Sequence, residues 1–242
     1  MFIGLQKDYN GFGIEMNLNE VCNTGCLYFK CDECGAYTKV DVNPYRNGEE
    51  WSDGFFQTDL NEVTLLQKCP KCGKVYLARP LYELPEGVTA LQGKRTVDFE
   101  VLAEKCSDED FRNSLSREDN ALLLMQYIHF YSSEYRRYPS VDSAPYEQTV
   151  LFVNAILYVL DNVMMPRTVA ADLYRMAGMF KKSISAASQP GLRKNEVDDE
   201  LMQHIIELSI KRNTLPFVID EQKYLKLAQN KDLPNEALIA RL

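Results

Sequence analysis

The sequence predicts an α+β protein, with a small β-rich module over residues 1–90 and an all-α domain over residues 91–242. Three observations carry that expectation. Two Cys-x-x-Cys-Gly knuckles, Cys31-Asp32-Glu33-Cys34-Gly35 and Cys69-Pro70-Lys71-Cys72-Gly73, stand in the first third of the chain with 34 residues between Cys34 and Cys69. Around them, turn dipeptides alternate with short runs of β-branched and aromatic residues. Past about Thr96 the apolar spacing becomes helical.

The knuckles are the chemical signal. Four thiolates from two such pairs close a tetrahedral site, and the glycine after each second cysteine permits the φ > 0 turn that lets backbone N–H groups face the sulfurs. Cys31, Cys34, Cys69 and Cys72 are therefore the expected metal ligands, with Zn2+ the expected ion and iron the alternative. No open coordination position is implied, so the site reads as structural rather than catalytic. Six of the seven cysteines fall within the first 72 residues, and no basic-then-apolar leader is visible at the start of the sequence. Metal ligation is thus preferred over a disulfide framework. Cys22 and Cys26 could replace one pair, bind a second ion with outside help, or be buried thiols, the last being preferred. Cys106 reads as a small buried residue.

Within the first module, Asn10-Gly11, Asn47-Gly48 and Asp53-Gly54 mark turns, and Tyr37–Val42 and Val75–Leu81 read as strands. Lys74–Arg79 suits a strand leaving the second knuckle. Such a module has little core, so the metal is expected to supply much of its folding free energy, roughly 10–16 kcal/mol by analogy with zinc-finger peptides. Pro85, Gly87 and Gly93 punctuate an expected linker over Leu84–Thr96. Helices are expected near Arg117–Tyr135, Tyr146–Asp161, Pro166–Ala177, Phe180–Ser188, Glu196–Lys211, Glu221–Gln229 and Asn235–Arg241. Pro166 fits a first helical turn, where a missing N–H costs nothing extra.

Charge narrows the function classes. The formal net charge is −8, with 8 basic and 13 acidic residues before position 91 and 19 and 22 after it. Four metal thiolates and a divalent ion would bring the total to about −10. Neither half has the charge of a duplex binder. Lys30, Lys39, Lys68, Lys71 and Lys74 could form a local phosphate-contact patch, with Tyr37 and Tyr76 stacking on bases. With Asp32, Glu33, Asp41, Glu49 and Glu50 nearby, the preferred reading is that the lysines offset thiolate charge, so nucleic acid is not the expected partner.

Catalytic patterns are scarce. The two histidines, His129 and His204, both fall on expected helices and read as packed or surface imidazoles. Gly-x-Ser-x-Gly, a phosphate-binding glycine loop and His-Glu-x-x-His do not occur, and Gly11-Phe12-Gly13 lacks the third glycine of a dinucleotide site. Tyr127, Phe130, Tyr131, Tyr135 and Tyr138 form an aromatic stripe at helical spacing, expected to pack in the core rather than to dock a partner helix. Val150–Met165 is apolar but interrupted by Asn154, Asp161 and Asn162, short of a membrane span. The expectation is a soluble, cytoplasmic protein that is not an enzyme.

Several segments resemble known families. Cys31 to Arg79 is similar to rubredoxin in its paired knuckles, which would imply iron and electron transfer, although the intervening segment is longer here. Ala170, Ala171, Tyr174, Gly178, Phe180 and Ser183 resemble part of a tetratricopeptide helix pair, and no second copy at a 34-residue period accompanies it. An antiparallel helix hairpin inside a bundle is the plainer reading. Trp51-Ser52-Asp53-Gly54 between the knuckles, with Ala171-Asp172-Leu173-Tyr174-Arg175-Met176-Ala177-Gly178-Met179-Phe180, resembles a group of uncharacterised bacterial proteins. These join an N-terminal zinc-ribbon-like module to tetratricopeptide-like helices. The resemblance implies architecture and metal ligation but no reaction. A zinc-stabilised protein-interaction function, as adaptor or scaffold, is the resulting expectation, with another protein as partner.

Overall fold

Two short antiparallel hairpins carry the knuckles at their tips. In the computed structural model, which describes residues 25–43, 50–55, 63–136, 144–189, 196–220 and 222–223, β1 (Cys26–Lys30) pairs with β2 (Tyr37–Asp41). β3 (Leu66–Lys68) pairs with β4 (Val75–Leu77) in the same way. Strand alternation places Leu27, Phe29, Val40 and Val42 inward, where they meet Val63 in a five-residue cluster. That cluster is too small to hold the hairpins alone.

The two hairpins are stitched by backbone. Tyr28 N–H donates to the Leu81 carbonyl at 2.9 Å, and Leu81 N–H returns the bond at 2.7 Å. A fifth strand, β5 (Ala90–Gln92), lies parallel to β2 inside the segment expected to be a linker. Gly93 explains why that strand can close on its neighbour. A Cβ at Gly93 would stand 2.1 Å from Thr38 Cγ2, so only glycine allows this approach.

Seven helices follow among the described residues: α1 (Phe99–Ser107), α2 (Glu109–Asn113), α3 (Arg117–Tyr135), α4 (Tyr146–Asn162), α5 (Arg167–Met176), α6 (Phe180–Ser188) and α7 (Glu196–Ile210). The small β-sheets followed by helices give the α+β architecture the sequence predicts. The expected bounds of α3 and α6 match, while α4, α5 and α7 differ by a residue or so at an end. Strands β1, β3 and β5 and helices α1 and α2 were not anticipated. The last two are short, and their polar run Ser107-Asp108-Glu109-Asp110 hides the helical period; the Asp108 carboxylate caps α2 by accepting from Phe111 N–H at 3.0 Å. Helix α3 begins at the Ser116 cap, whose hydroxyl accepts from Asp119 N–H at 3.0 Å.

Helix α3 is the centre of the molecule. Leu123, Leu124, Tyr127, Ile128 and Tyr131 are buried against Leu102 and Cys106 of α1, Phe152, Ala155, Ile156 and Val159 of α4, and Leu173 and Met176 of α5. Tyr131 stacks on Phe152 with ring centroids 4.3 Å apart, and Phe130 and Tyr135 are partly buried against the same core. The described part of the aromatic stripe, Tyr127, Phe130, Tyr131 and Tyr135, is therefore core. The second hairpin joins it: Leu66 is buried in the helical cluster, with Val75 and Leu77 packed alongside. Gln126 of α3 accepts from Leu65 N–H at 3.1 Å, and Arg79 pairs with Asp119 at 2.9 Å.

Helices α5 and α6 form an antiparallel hairpin through Gly178 at φ 75°. The Arg167 guanidinium, at the start of α5, donates to the carbonyl of Ala186 at the end of α6 at 2.9 Å. Of the expected helix Glu221–Gln229 only Gln222 and Lys223, both helical, are described; the expected helix Asn235–Arg241 lies outside the described residues, as do Cys22, Tyr138, Asn10-Gly11, Gly11-Phe12-Gly13 and Asn47-Gly48.

Candidate metal centre

The hairpins bring their tips together. The sulfurs of Cys31, Cys34, Cys69 and Cys72 all lie within 4.8 Å of one another. Cys31 Sγ is 3.7 Å from Cys72 Sγ, and Cys34 Sγ is 3.6 Å from Cys69 Sγ. A tetrahedral ion with metal–sulfur bonds of about 2.3 Å has a sulfur–sulfur edge of about 3.8 Å. The two cross-knuckle contacts match that edge, and none of these cysteines is in a disulfide. The four-sulfur set fits a single ion.

Local sequence makes this geometry. In the first knuckle Cys31 N–H donates to the Ala36 carbonyl and Gly35 N–H to the Cys31 carbonyl; in the second, Cys69 N–H donates to Lys74 and Gly73 N–H to Cys69, all at 2.9 to 3.0 Å. The loops are therefore near copies. Gly35 at φ 68° and Gly73 at φ 77° occupy the left-handed region that each turn requires.

The electrostatics call for a cation. Burial opposes ionisation of Cys69, but the backbone N–H groups of Cys72 and Lys71 outweigh it and draw its pKa down to about 7. At Cys72 the Lys74 N–H favours the thiolate, yet desolvation and the neighbouring Cys34, Cys69 and Cys31 sulfurs push it up to about 12. One thiolate forms readily and the next is repelled. A positive ion among the sulfurs would favour the thiolate at both Cys69 and Cys72.

Lys74 locks the knuckles together from outside. It reaches Glu33 at 3.0 Å and Asp32 at 3.4 Å, both on the opposite loop. Lys39 pairs with Asp41 at 3.0 Å, and the Lys30 ammonium lies 5.8 Å above the Tyr37 ring across the β1–β2 pair. Tyr76 is buried beside Cys31 and Cys69, and its burial pushes the phenol up to about 12. A base-stacking role for Tyr76 is incompatible with that burial. Burial within the site is graded: Cys31 and Cys69 are 0% and 1% exposed, Cys34 is intermediate, and Cys72 is exposed.

The remaining candidates sit elsewhere. Cys26 is a buried thiol that donates to Tyr28 Oη at 3.1 Å and is not one of the four. Cys106 is 0% exposed in the helical core, where burial pushes its thiol up. His129 is buried with its ring 4.7 Å from Phe55, and His204 lies edge-on to Phe217 at 4.9 Å. Both imidazoles are packed against aromatic rings.

A second polar constellation went unseen in the sequence. Trp51, Ser52 and Asp53 are 7%, 3% and 0% exposed, so the Trp-Ser-Asp-Gly turn is interior. Its backbone docks on the chain after α7: Ser52 N–H donates to the Phe217 carbonyl at 2.9 Å, Phe217 N–H to Ser52 Oγ at 3.1 Å, and Ile219 N–H to the Glu50 carbonyl at 2.7 Å. Beneath lies an ion pair, Arg175 Nε to Asp172 Oδ1 at 2.7 Å, with both side chains 0% exposed. Arg175 also donates to the Asn213 carbonyl at 2.6 Å and lies over the Phe217 ring. Burial raises the Asp172 pKa, with the Asp53 charge adding to it, against the pull of Arg175 and Ser52. Burial likewise lowers Arg136 to about 10. The sequence signal was the i, i+3 spacing of Asp172 and Arg175, which on a surface helix is an ordinary exposed pair.

Comparison with family models, with curated proteins and with solved structures returned no match. The likeness to bacterial zinc-ribbon and tetratricopeptide-like proteins therefore rests on the quoted residues alone. Among the described residues no helix is long and apolar enough to cross a membrane.

Proposed function

We propose that Cys31, Cys34, Cys69 and Cys72 hold one structural Zn2+ ion, and that the chain acts as a zinc-stabilised, non-enzymatic interaction protein whose helices present the partner surface. The observation that carries the metal reading is the four-sulfur cluster with tetrahedral-edge spacings. Each knuckle contributes two sulfurs, so the ion would cross-link hairpins otherwise joined by a small apolar cluster, the Tyr28–Leu81 backbone pair and the Lys74 ion pairs. The ion supplies charge neutralisation and a rigid tether. The interaction reading draws support from the helices that continue past the ribbon. The α5–α6 hairpin is the part that supports a tetratricopeptide-like surface, and another protein is the proposed partner.

The test is metal analysis by native mass spectrometry on protein purified without added metal. One zinc per chain, lost on chelation together with β-sheet signal, is expected; metal-free protein with an intact fold would overturn the reading. Iron electron transfer is the second reading, favoured by N–H groups aimed at the Cys69 and Cys72 sulfurs and by the exposure of Cys72. A red, redox-active preparation would select it over zinc. For the interaction function, immobilised full-length protein should capture a cytoplasmic partner reproducibly. Salt-sensitive binding to single-stranded nucleic acid, lost when Lys68 and Lys71 are neutralised, would instead favour the lysine patch.

A further inference from the structure

The four sulfurs are unequal in their access to solvent. Cys31 and Cys69 are shut inside with Tyr76, Cys34 is intermediate, and Cys72 is exposed. A small water-borne electrophile therefore meets Cys72 first. Sulfurs also meet across the hairpins, within a cluster whose four sulfurs all lie within 4.8 Å of one another. The pairs in hydrogen-bonding contact, Cys31 with Cys72 at 3.7 Å and Cys34 with Cys69 at 3.6 Å, each take one sulfur from each hairpin.

We propose that Cys72 is a peroxide-modification site, and that its oxidation is resolved by Cys31 into a disulfide between the hairpins that abolishes metal binding. This deepens the zinc reading and rests on it. The oxidant is a peroxide, with hydrogen peroxide as the simplest member. The Cys72 thiolate attacks one peroxide oxygen; the O–O bond breaks, leaving a sulfenic acid on Cys72, and the departing hydroxide takes a proton from solvent. The Cys31 thiolate then attacks the Cys72 sulfur. The S–O bond breaks, the S–S bond forms, and the second hydroxide is protonated to water. Two thiolates lose two electrons, one peroxide gains them, and two waters leave.

The consequence follows from ligand count. A disulfide removes two of four ligands, and Cys34 and Cys69 alone cannot close a tetrahedral site. The hairpins remain cross-linked, now by a covalent bond. Lys74, held on Asp32 and Glu33, keeps the two tips opposed while the exchange takes place. The outcome is a metal-release switch that a reductant would reset.

Trypsin separates the possibilities cleanly. Residues 31–39 contain Cys31 and Cys34, residues 69–71 contain Cys69, and residues 72–74 contain Cys72. Full-length reduced protein is first assayed for zinc, then treated with one equivalent of hydrogen peroxide in the presence of a chromogenic chelator, alkylated and digested. The expected result is zinc released with the same rate as the appearance of peptide 31–39 linked to peptide 72–74 through Cys31. Disulfides confined to a single knuckle, oxidation starting at another cysteine, or oxidation with the zinc retained would each overturn the proposal. Protein carrying no metal at the outset overturns the zinc reading and this one with it, whereas one bound zinc that peroxide fails to release overturns this one alone. Cys72→His, which offers a three-sulfur, one-imidazole ligand set, should slow peroxide-driven release by about tenfold or more. If that variant binds no zinc, the wild-type peptide map still decides.

Discussion

The two ends of this molecule solve the problem of holding a fold in opposite ways. Around the knuckles, short strands enclose a five-residue apolar cluster, and four sulfurs at the hairpin tips are positioned to be tied by an ion. Around α3, apolar and aromatic side chains from several helices supply the stability, and among the buried polar side chains of the helical region Asp172 and Arg175 form a fully buried ion pair. On the proposed zinc reading, the first region depends on one coordination event. The second depends on many small contacts, with one expensive pair among them. The hairpins and helices are also packed together through Leu66, Val75 and Leu77, so loss of the metal should be felt in the helical core.

The largest effect tests the sulfur tie. Cys69→Ser should abolish zinc binding and unfold the hairpins, removing an apparent metal contribution of roughly 10–16 kcal/mol. Zinc content and β-sheet circular dichroism check it. Cys106→Ser, in the apolar core, should keep its zinc and lose only about 1–3 kcal/mol in urea unfolding. Equal metal loss in both variants would erase the distinction between the two regions.

The corresponding break in the helical region is Arg175→Met. It leaves Asp172 buried without its partner and should cost about 3–5 kcal/mol in denaturant midpoints, with zinc retained. Asp172→Leu combined with Arg175→Met should recover most of that loss, because the desolvated charges disappear together. A single substitution that proves harmless would show that the pair opens to water.

Gly93→Ala sharpens the comparison at the sheet edge. Its methyl would fall 2.1 Å from the Cγ2 of Thr38, itself 1% exposed, so β5 must shift. A loss of about 1–3 kcal/mol is expected from thermal or urea unfolding.

The smallest effect is a pH dependence at His204. Burial lowers its pKa below the ordinary 6.5, helped by the Lys223 charge. The folded state thus binds this proton less readily than the unfolded chain. The stability contribution is complete above pH 6.5 and is lost as pH falls from there through the folded pKa. His204→Gln should flatten the stability profile on the acid side of pH 6.5 and leave it unchanged near pH 8. An identical slope in both proteins would assign the acid loss to other groups, the cysteine ligands first among them.

Much of the site was legible because its chemistry is local. Cys31, Cys34, Cys69 and Cys72 could be named from spacing, since a Cys-x-x-Cys-Gly loop closes on itself through short-range hydrogen bonds wherever it stands. Helix α6 was legible for the same reason, a repeating apolar period, and α3, buried over consecutive residues rather than on one stripe, from its long apolar run behind the Ser116 cap. Strands β1, β3 and β5 were not. Strand β5 consists of three residues whose partner, β2, lies some fifty residues earlier, and only the missing side chain of Gly93 makes room for it. The Trp-Ser-Asp-Gly turn carried a resemblance in the sequence, but nothing in those residues announces that they bury against Phe217 and Ile219.

By itself, then, the sequence determined the four-cysteine set, the α+β order of the chain and the central helices, because helical runs and Cys-x-x-Cys loops are properties of a few neighbouring residues. Tertiary structure alone decided which sulfurs face each other across the hairpins, which one meets solvent, and that Asp172 and Arg175 are interior rather than on a surface. Those outcomes depend on distances between segments far apart in the chain. Chain closure sets them, and no local pattern encodes it.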